Sequence, residues 1–325
     1  MRIGLLTRRD NSGLGYQTKA LYELLKPTRV LCIDSTPFNG HSQNLNWYKD
    51  ADYLQITNGF PTDHDIDLFL RELDILITCE IPYNYTLFSL AKERGIKTVL
   101  QPNAEFNQHF YGKTLPKPDA FFLPSKWYEQ ETKELGIPTY YCPPPTFKEQ
   151  KRNITKEQGK LRVLHIGGKK AFLDRNGTDD VSKINLPDVE ITISQQVMSE
   201  EDNNMDLYKG DYDIVLIPRK YGGLCLPMRE SLAFGYPVIM PHIPPNNDLL
   251  PKEWLSSPSR RTQRMMKRLI NVYENDIQSI VKRLEYFRDM TNEEYLKQVE
   301  KAYTINRQIE SDIKWEEYLK EIVDE

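Results

Sequence analysis

Between Ile214 and Met240 the chain sets out a compact chemical series. An apolar run, Ile214-Val-Leu-Ile217, reads as a buried strand. Arg219, the pair Gly222-Gly223 and the stretch Leu224-Cys225-Leu226 follow as a loop, and Pro227 opens a short helix that carries Glu230. Gly235 ends the helix ahead of a second strand at Pro237-Val-Ile-Met240. A strand, a glycine loop and a helix N-terminus in series form a cradle for an anion, because free backbone amides and the positive end of the helix dipole face the same point. Glu230, expected in the first helical turn, can accept hydrogen bonds from hydroxyls on the molecule that carries the anion.

A second segment has matching chemistry. His165-Ile-Gly-Gly-Lys-Lys-Ala-Phe-Leu-Asp-Arg-Asn-Gly177 is a strand end, a glycine pair and a basic loop ahead of a helix. Gly168 lets backbone approach a phosphate, and Lys169, Lys170 and Arg175 are the cations at hand. A guanidinium fork matches two phosphate oxygens, whereas an ammonium acts as a point charge. Near the N-terminus, Gly13-Leu-Gly-Tyr-Gln-Thr18 follows the first strand and precedes a helix, so Gly13 and Gly15 are further candidates for close backbone approach. Glu80 ends one first-half strand and Glu105 follows the next, the place where open α/β sheets bind ligands, and His109 is close by. Helix capping is the competing reading for both glutamates.

These residues need a scaffold of alternating strands and helices. Expected first-half strands lie near residues 3–7, 30–34, 75–80, 98–101, 120–123 and 140–142, with helical patterns at 18–25 and 86–94. Pro143-Pro-Pro145 and the apolar-poor stretch 148–160 read as a linker. The alternation restarts with strands at 161–166, 189–193, 214–217 and 238–240. Short apolar strands separated by helices imply parallel sheets covered on both faces. The expected fold is therefore α/β, with two Rossmann-like domains facing a cleft: residues 1–145, residues 146–305, and a last helix at 306–325. Segment 38–70 has no readable pattern.

Composition narrows the function. The chain has 325 residues, 39% of them hydrophobic, and a net charge of −4, so the overall charge offers nucleic acid no general attraction. The run 260–268 carries five basic residues and no acid; it reads first as a solvated helix face and second as a contact for a phosphate-bearing acceptor. No apolar run is long enough to cross a bilayer, and the start reads as a strand rather than an export signal, so a cytoplasmic location is expected. Cys32, Cys79, Cys142 and Cys225 are far apart, without a Cys-x-x-Cys pair, which suggests buried thiols and neither a zinc site nor a redox couple. Asp63-His-Asp-Ile-Asp67 and Asp211-Tyr-Asp213 read as an acidic helix start and a turn, not as metal sites.

The segment 218–239 resembles the signature of retaining glycosyltransferases of family 4 and their relatives with the GT-B fold. Their pattern is Glu-Gly-Phe-Gly-Leu-Pro, two residues, Glu, an Ala-hydrophobic-Ala turn, Gly and Pro-Val-Ile. Leu226-Pro227, Glu230, Ser231-Leu-Ala233, Gly235 and Pro237-Val-Ile239 align with it, while Gly222 stands where the family has its first Glu. Gly168 stands at the place of the family's Arg, and Arg175-Asn-Gly177 at that of its Lys-Gly. The resemblance also covers the Pro124-Ser125 strand end and the Pro-rich crossover, and a phage or bacterial branch of the family looks similar around Glu80 and Glu105. It implies a last helix that crosses back to the first domain, and a first-domain histidine near the transferred sugar, for which His109 is the candidate.

From this resemblance the expected activity is a hexosyl- or pentosyltransferase reaction. A nucleotide sugar such as a UDP- or GDP-sugar is the substrate, with no separate cofactor, no metal and retention of configuration. Donor-side residues would be Gly13, Gly15, Gly168, Lys170, Arg175, Arg219, Gly222, Gly223, Leu224, Cys225, Leu226 and Glu230; Glu80, Glu105 and His109 would serve catalysis. The acceptor is open among a modified phage DNA base, a glycan, a lipid and a protein. An NAD-dependent oxidoreductase using Gly13-x-Gly15 and Asp34 is the alternative, and a non-catalytic nucleotide- or glycan-binding relative is a third reading.

Overall fold

The computed structural model describes residues 1–36, 43–106, 115–145, 148–167, 174–194 and 204–324. The chain divides into two compact units. The first comprises Met1–Pro145, Met266–Arg268 and Asp312–Glu325; the second comprises Thr146–Met265 and Leu269–Ser311.

The first unit is built on a seven-stranded sheet of β1 (Ile3–Arg8), β2 (Arg29–Asp34), β3 (Tyr53–Asn58), β4 (Ile75–Glu80), β5 (Lys97–Pro102), β6 (Ala120–Leu123) and β7 (Thr139–Tyr141), in the order β3-β2-β1-β4-β5-β6-β7. Every pairing is parallel. The strands carry the continuous apolar runs that a sheet covered on both faces requires. β3 lies within the stretch that shows no sequence pattern, because at the sheet edge it has half-buried Tyr53, Leu54 and Gln55, exposed Ile56 and Asn58, and only Thr57 buried. Helices α1 (Gly13–Leu25), α2 (Asp63–Phe69), α3 (Leu87–Glu93) and α4 (Glu129–Lys133) join the strands. The start of α2 is a capping box between Thr62 and Asp65, which gives its acidic run a structural role.

The second unit holds β8 (Leu161–Ile166), β9 (Val189–Ser194), β10 (Ile214–Leu216), β11 (Val238–Pro241) and β12 (Leu255–Ser256), in the parallel order β12-β11-β10-β8-β9. Helices α5 (Thr178–Val181), α6 (Leu226–Ala233), α7 (Asn246–Leu249), α8 (Ile277–Arg288) and α9 (Asn292–Ser311) complete it. Asp213, ahead of β10, accepts hydrogen bonds from the Arg162 backbone and guanidinium and is buried.

One expectation for this unit is corrected. The basic run 260–268 is not a helix face: β13 (Pro258–Met265) and β14 (Leu269–Asn275) form a separate antiparallel hairpin. Its β-branched and aromatic residues, Thr262, Ile270, Val272 and Tyr273, favour a strand over a helix.

The closing helix α10 (Trp315–Asp324) belongs to the first unit. Its Trp315, Leu319 and Ile322 are buried in the same core as Leu5, Ile77, Leu100 and Phe122. Trp315 Nε1–H donates to the Pro143 carbonyl at 3.0 Å, and its ring meets Phe122 edge-on at 4.9 Å. Cys32, Cys79, Cys142 and Cys225 are all free and buried.

Candidate functional site

Strand order fixes where ligands can be held. In an open parallel sheet, two neighbouring strands whose connections leave in opposite directions open a crevice beyond their carboxyl ends. That switch falls between β1 and β4 in the first unit and between β8 and β10 in the second. The residues singled out from the sequence gather at these two edges.

In the second unit the loops after β8 and β10 are tied together. Lys220 N–H donates to the Arg175 carbonyl at 2.8 Å, and Lys220 Nζ lies 3.5 Å from Asp174 and 3.2 Å from Asp180. Asp174 caps α5 by accepting from the amides of Thr178 at 2.9 Å and Asp179 at 3.1 Å. The start of α5 is therefore already occupied by a carboxylate of the chain.

His165 sits wholly buried beneath this loop. Its Nδ1 lies 2.8 Å from the Leu216 carbonyl and its Nε2 2.9 Å from Thr178 Oγ1. A carbonyl only accepts, so Nδ1 carries the proton and Nε2 accepts from the threonine. Burial lowers the imidazole pKa. The ring is a neutral strut joining β8, β10 and α5.

Arg175 and Arg219 converge over Gly222. A Cβ added to Gly222 would lie 2.4 Å from Arg175 Nη2 and 2.5 Å from Arg219 Nη2. Arg219 is held by the loop it borders, donating from Nε to the Tyr221 carbonyl at 2.9 Å and from Nη1 to the Leu224 carbonyl at 2.8 Å. Arg175 stands over the Tyr221 ring at 4.8 Å. Gly222 has φ +122°, a conformation open in practice to glycine alone. The missing acid thus has a local reason: the backbone conformation selects glycine.

Gly223 and Leu224 are half-buried and continue the loop to α6. Buried Cys225 is the N-cap and gives no side-chain cap, Leu226 is the first helical residue, and Pro227 follows it. The first-turn amides of α6 therefore lack the side-chain oxygen that commonly satisfies such groups.

Glu230 is placed differently from expectation. It lies in the second turn of α6, is 4% exposed, and accepts a hydrogen bond at 2.7 Å from Tyr208 Oη. Burial pushes its carboxyl up to about 7, against the pull of that hydrogen bond. Tyr208 comes from a 3-10 turn, Asn204–Lys209, and stacks on Phe234. No sequence pattern pairs Tyr208 with Glu230 across 22 positions; only the fold does.

In the first unit a charged cluster surrounds the carboxyl ends of β1 and β4. Arg8 Nε and Nη2 grip Asp10 Oδ2 at 2.7 and 2.6 Å. Arg8 Nη1 lies 3.9 Å from Glu80, while Asn103 Nδ2 reaches Glu80 at 3.4 Å and Tyr83 Oη reaches it at 3.5 Å. Burial raises the Glu80 carboxyl pKa, with Arg8 opposing. Burial would also raise Asp10, but Arg8 and the hydrogen bonds from Ser12 and Ser35 outweigh it and hold Asp10 below the usual range. Glu80 has φ +70°, a strained state for a residue with a side chain. Glu105 is buried and adds negative charge near Glu80. Glu80 and Glu105 do come together, while Arg8, Asp10, Tyr83 and Asn103 were missed. An Arg-x-Asp at a strand end was the available signal.

The glycines after β1 do not form a loop. Helix α1 begins at Gly13, with Ser12 as N-cap accepting from the Gly15 amide at 3.1 Å. A Cβ on Gly15 would fall 1.9 Å from the Asp10 carbonyl oxygen. Internal packing therefore demands this glycine without any ligand, and Gly13 is an exposed first helical residue. His109, Gly168, Lys169 and Lys170 lie outside the described residues.

Among the described residues no group of His, Cys, Asp or Glu side chains is placed to hold a metal, and no helix is long and apolar enough to cross a membrane. A cleft of about 640 Å³ lined by Lys156, Arg162 and Asp213 lies at the opposite, amino ends of β8 and β9. Lys156 Nζ there donates to three backbone carbonyls and serves the fold.

No family model matches the chain, and no curated protein matches it by sequence. Solved structures do match. The chain is similar to the apo form of a lipopolysaccharide outer core galactosyltransferase, WaaB, with a TM-score of 0.61 and 11% identity over 98% of this chain and 100% of that one. It is similar to Alr3699/HepE of Anabaena in complex with UDP and glucose, with a TM-score of 0.55 and 10% identity over 95% and 98% of the two chains. It is also similar to a chain of the GtfA/B complex, with a TM-score of 0.52 and 14% identity; 81% of this chain is covered and it spans 61% of that one. At these identities the likeness shows the fold, two Rossmann-like units of the GT-B kind.

Proposed function

We propose that the chain is a glycosyltransferase that moves a hexose or pentose from a nucleoside diphosphate sugar, a UDP- or GDP-sugar, to an acceptor. The carrying observation is the convergence of Arg175 and Arg219 over Gly222, beside the uncapped start of α6, at the switch point of the second sheet. Glycosyl transfer builds negative charge on the departing diphosphate. Two guanidinium groups and a helix start with no side-chain cap, preorganised where that charge develops, stabilise the transition state more than the ground state. In this reading the chain's own cations take the role a metal would otherwise have, and transfer proceeds with retention. The likeness to a structure holding UDP and glucose supports a uridine nucleotide as the first donor to test.

Glu230 holds hydroxyls of the nucleotide from the second turn of α6, and Glu80 and Glu105 act on the acceptor side. The four buried free cysteines suit a reducing, cytoplasmic setting. The oxidoreductase alternative loses its main support, since Gly15 answers to the Asp10 carbonyl.

Thermal shift with UDP, GDP, ADP, TDP and NAD tests the reading. At least one nucleoside diphosphate should raise Tm, NAD should not, and Arg219→Ala should abolish the shift. A shift from NAD alone, or an unchanged nucleotide shift in Arg219→Ala, overturns it.

A further inference from the structure

Asn275 closes β14, and three segments of the second unit meet at its side chain. Its Nδ2 donates to the Pro218 carbonyl at 2.9 Å and to Asp180 Oδ2 at 3.1 Å. Pro218 immediately precedes Arg219, and Asp180 lies on α5, the helix that follows Arg175. A Cβ added to Gly177, the N-cap of α5, would lie 2.9 Å from the same Nδ2 and 2.5 Å from the Pro218 carbonyl oxygen, so the two loops pass each other against this amide. Two residues earlier in β14, Tyr273 N–H donates to the Lys220 carbonyl at 2.9 Å. β14 thus holds the carbonyls on both sides of Arg219.

This grip answers a difficulty in the cradle itself. The Nη2 atoms of Arg175 and Arg219 both come within 2.5 Å of one point over Gly222, and two like charges that close repel. The backbones that carry them must be pinned, or the loops drift apart until an anion arrives. Side-chain packing from the ribbon does not supply the pinning. A cavity of about 290 Å³, lined by Asp180, Lys220, Thr262, Arg264, Val272, Glu274 and Asn275, leaves the loop room to shift there. Hydrogen bonds are directional and fix the register that loose packing leaves open. Those of Asn275 join the loop after β10 to α5, and so set the spacing of the two arginine-bearing segments.

We infer that Asn275 is a positioning residue for the diphosphate cradle: by holding Pro218 and Asp180 at once it keeps Arg175 and Arg219 converged on a single diphosphate, without touching the ligand itself. The inference rests on the reading of this loop pair as a nucleoside diphosphate site.

The test compares UDP with UMP, which lacks the second phosphate, by calorimetry on the full chain. Asn275→Ala should weaken UDP binding about tenfold and UMP binding much less, so the preference for the diphosphate shrinks. A residue that merely holds the fold would weaken both nucleotides alike. Hydrogen exchange without nucleotide gives a second readout, and peptides covering residues 219–224 should exchange faster in the variant. If Asn275→Ala fails to fold, Asn275→Gln carries the same comparison, since its longer stem moves the amide off both acceptors. Equal weakening of UDP and UMP, unchanged UDP affinity, or unaltered exchange over 219–224 overturns the inference and leaves the donor reading standing. A wild-type chain that binds neither UDP nor GDP overturns the donor reading, and the inference with it.

Discussion

Arg219 and Gly222 define each other's positions: the guanidinium Nη2 lies 2.5 Å from the point a Cβ at 222 would occupy. The loop carbonyls of Tyr221 and Leu224 hold that guanidinium in place. Gly222→Ala should therefore strain the backbone by about 1–3 kcal/mol and displace both arginines. The expected result is a lower Tm and at least about tenfold weaker nucleoside diphosphate binding by calorimetry. Unchanged affinity would separate Gly222 from the anion cradle.

Burial of Glu230 sets a pH response, against the pull of the Tyr208 hydrogen bond. In the unfolded chain the Glu230 carboxyl titrates near about 4.3; folded, it is raised to about 7. The native state thus holds a proton that the unfolded state has lost throughout that window. The contribution is full below about pH 4 and is lost as pH rises through 7, by up to about 4 kcal/mol. Thermal melts of wild type and Glu230→Gln across pH 4.5 to 7.5 should diverge, with the flatter profile in the variant.

Tyr208→Phe should cost about 1–3 kcal/mol, since it leaves a buried carboxyl without its donor. If Glu230 holds the nucleotide, the same change should raise donor KM more than it lowers kcat. A stability loss with unaltered kinetics would leave the pair a structural one.

Arg8 and Asp10 should carry acid-side stability. Their side chains are 11% and 2% exposed. The Asp10 carboxyl is held below its unfolded value, so its contribution is present above about pH 4 and is lost as pH falls through the depressed folded value. Arg8→Met leaves a buried carboxylate without its cation and should destabilise by about 3 kcal/mol at neutral pH. Urea unfolding at pH 7 and pH 3 should show the gap between variant and wild type narrowing in acid.

What the sequence disclosed follows from how local each signal was. The apolar runs at Ile3, Ile75, Leu161 and Ile214 are strands because each is buried on both faces, and Gly235 stops its helix with φ +70°, a local conformation that favours glycine. The glycine loop and Arg219 were legible for the same reason. β3 was invisible because a half-exposed edge strand has no apolar run. The hairpin was misread because clustered charge reports exposure without reporting which element exposes it. The structural need that Gly15 meets, room for the Asp10 carbonyl, was not legible because it is set by a helix start one residue after the cap. Tyr208 beneath Glu230, and Arg8 with Asp10 beside Glu80, are relations between distant segments that only the sheet order creates.

Trp315→Ala removes a buried ring and its hydrogen bond to Pro143, at a cost of about 3–5 kcal/mol. The loss should appear in the first unit, as faster hydrogen exchange at Phe122 and its neighbours in β6. Exchange confined to the last helix would show that α10 is dispensable to that core.

The placement of α10 also sets an order of assembly. Chains emerge N-terminus first and their domains tend to fold as they appear. Here the first unit has its sheet early but waits for Trp315, Leu319 and Ile322, residues of its core that are made only after the second unit's last helix. The second unit has all its strands before then. The later-encoded half is thus the one able to finish first on the ribosome, and the earlier half closes last.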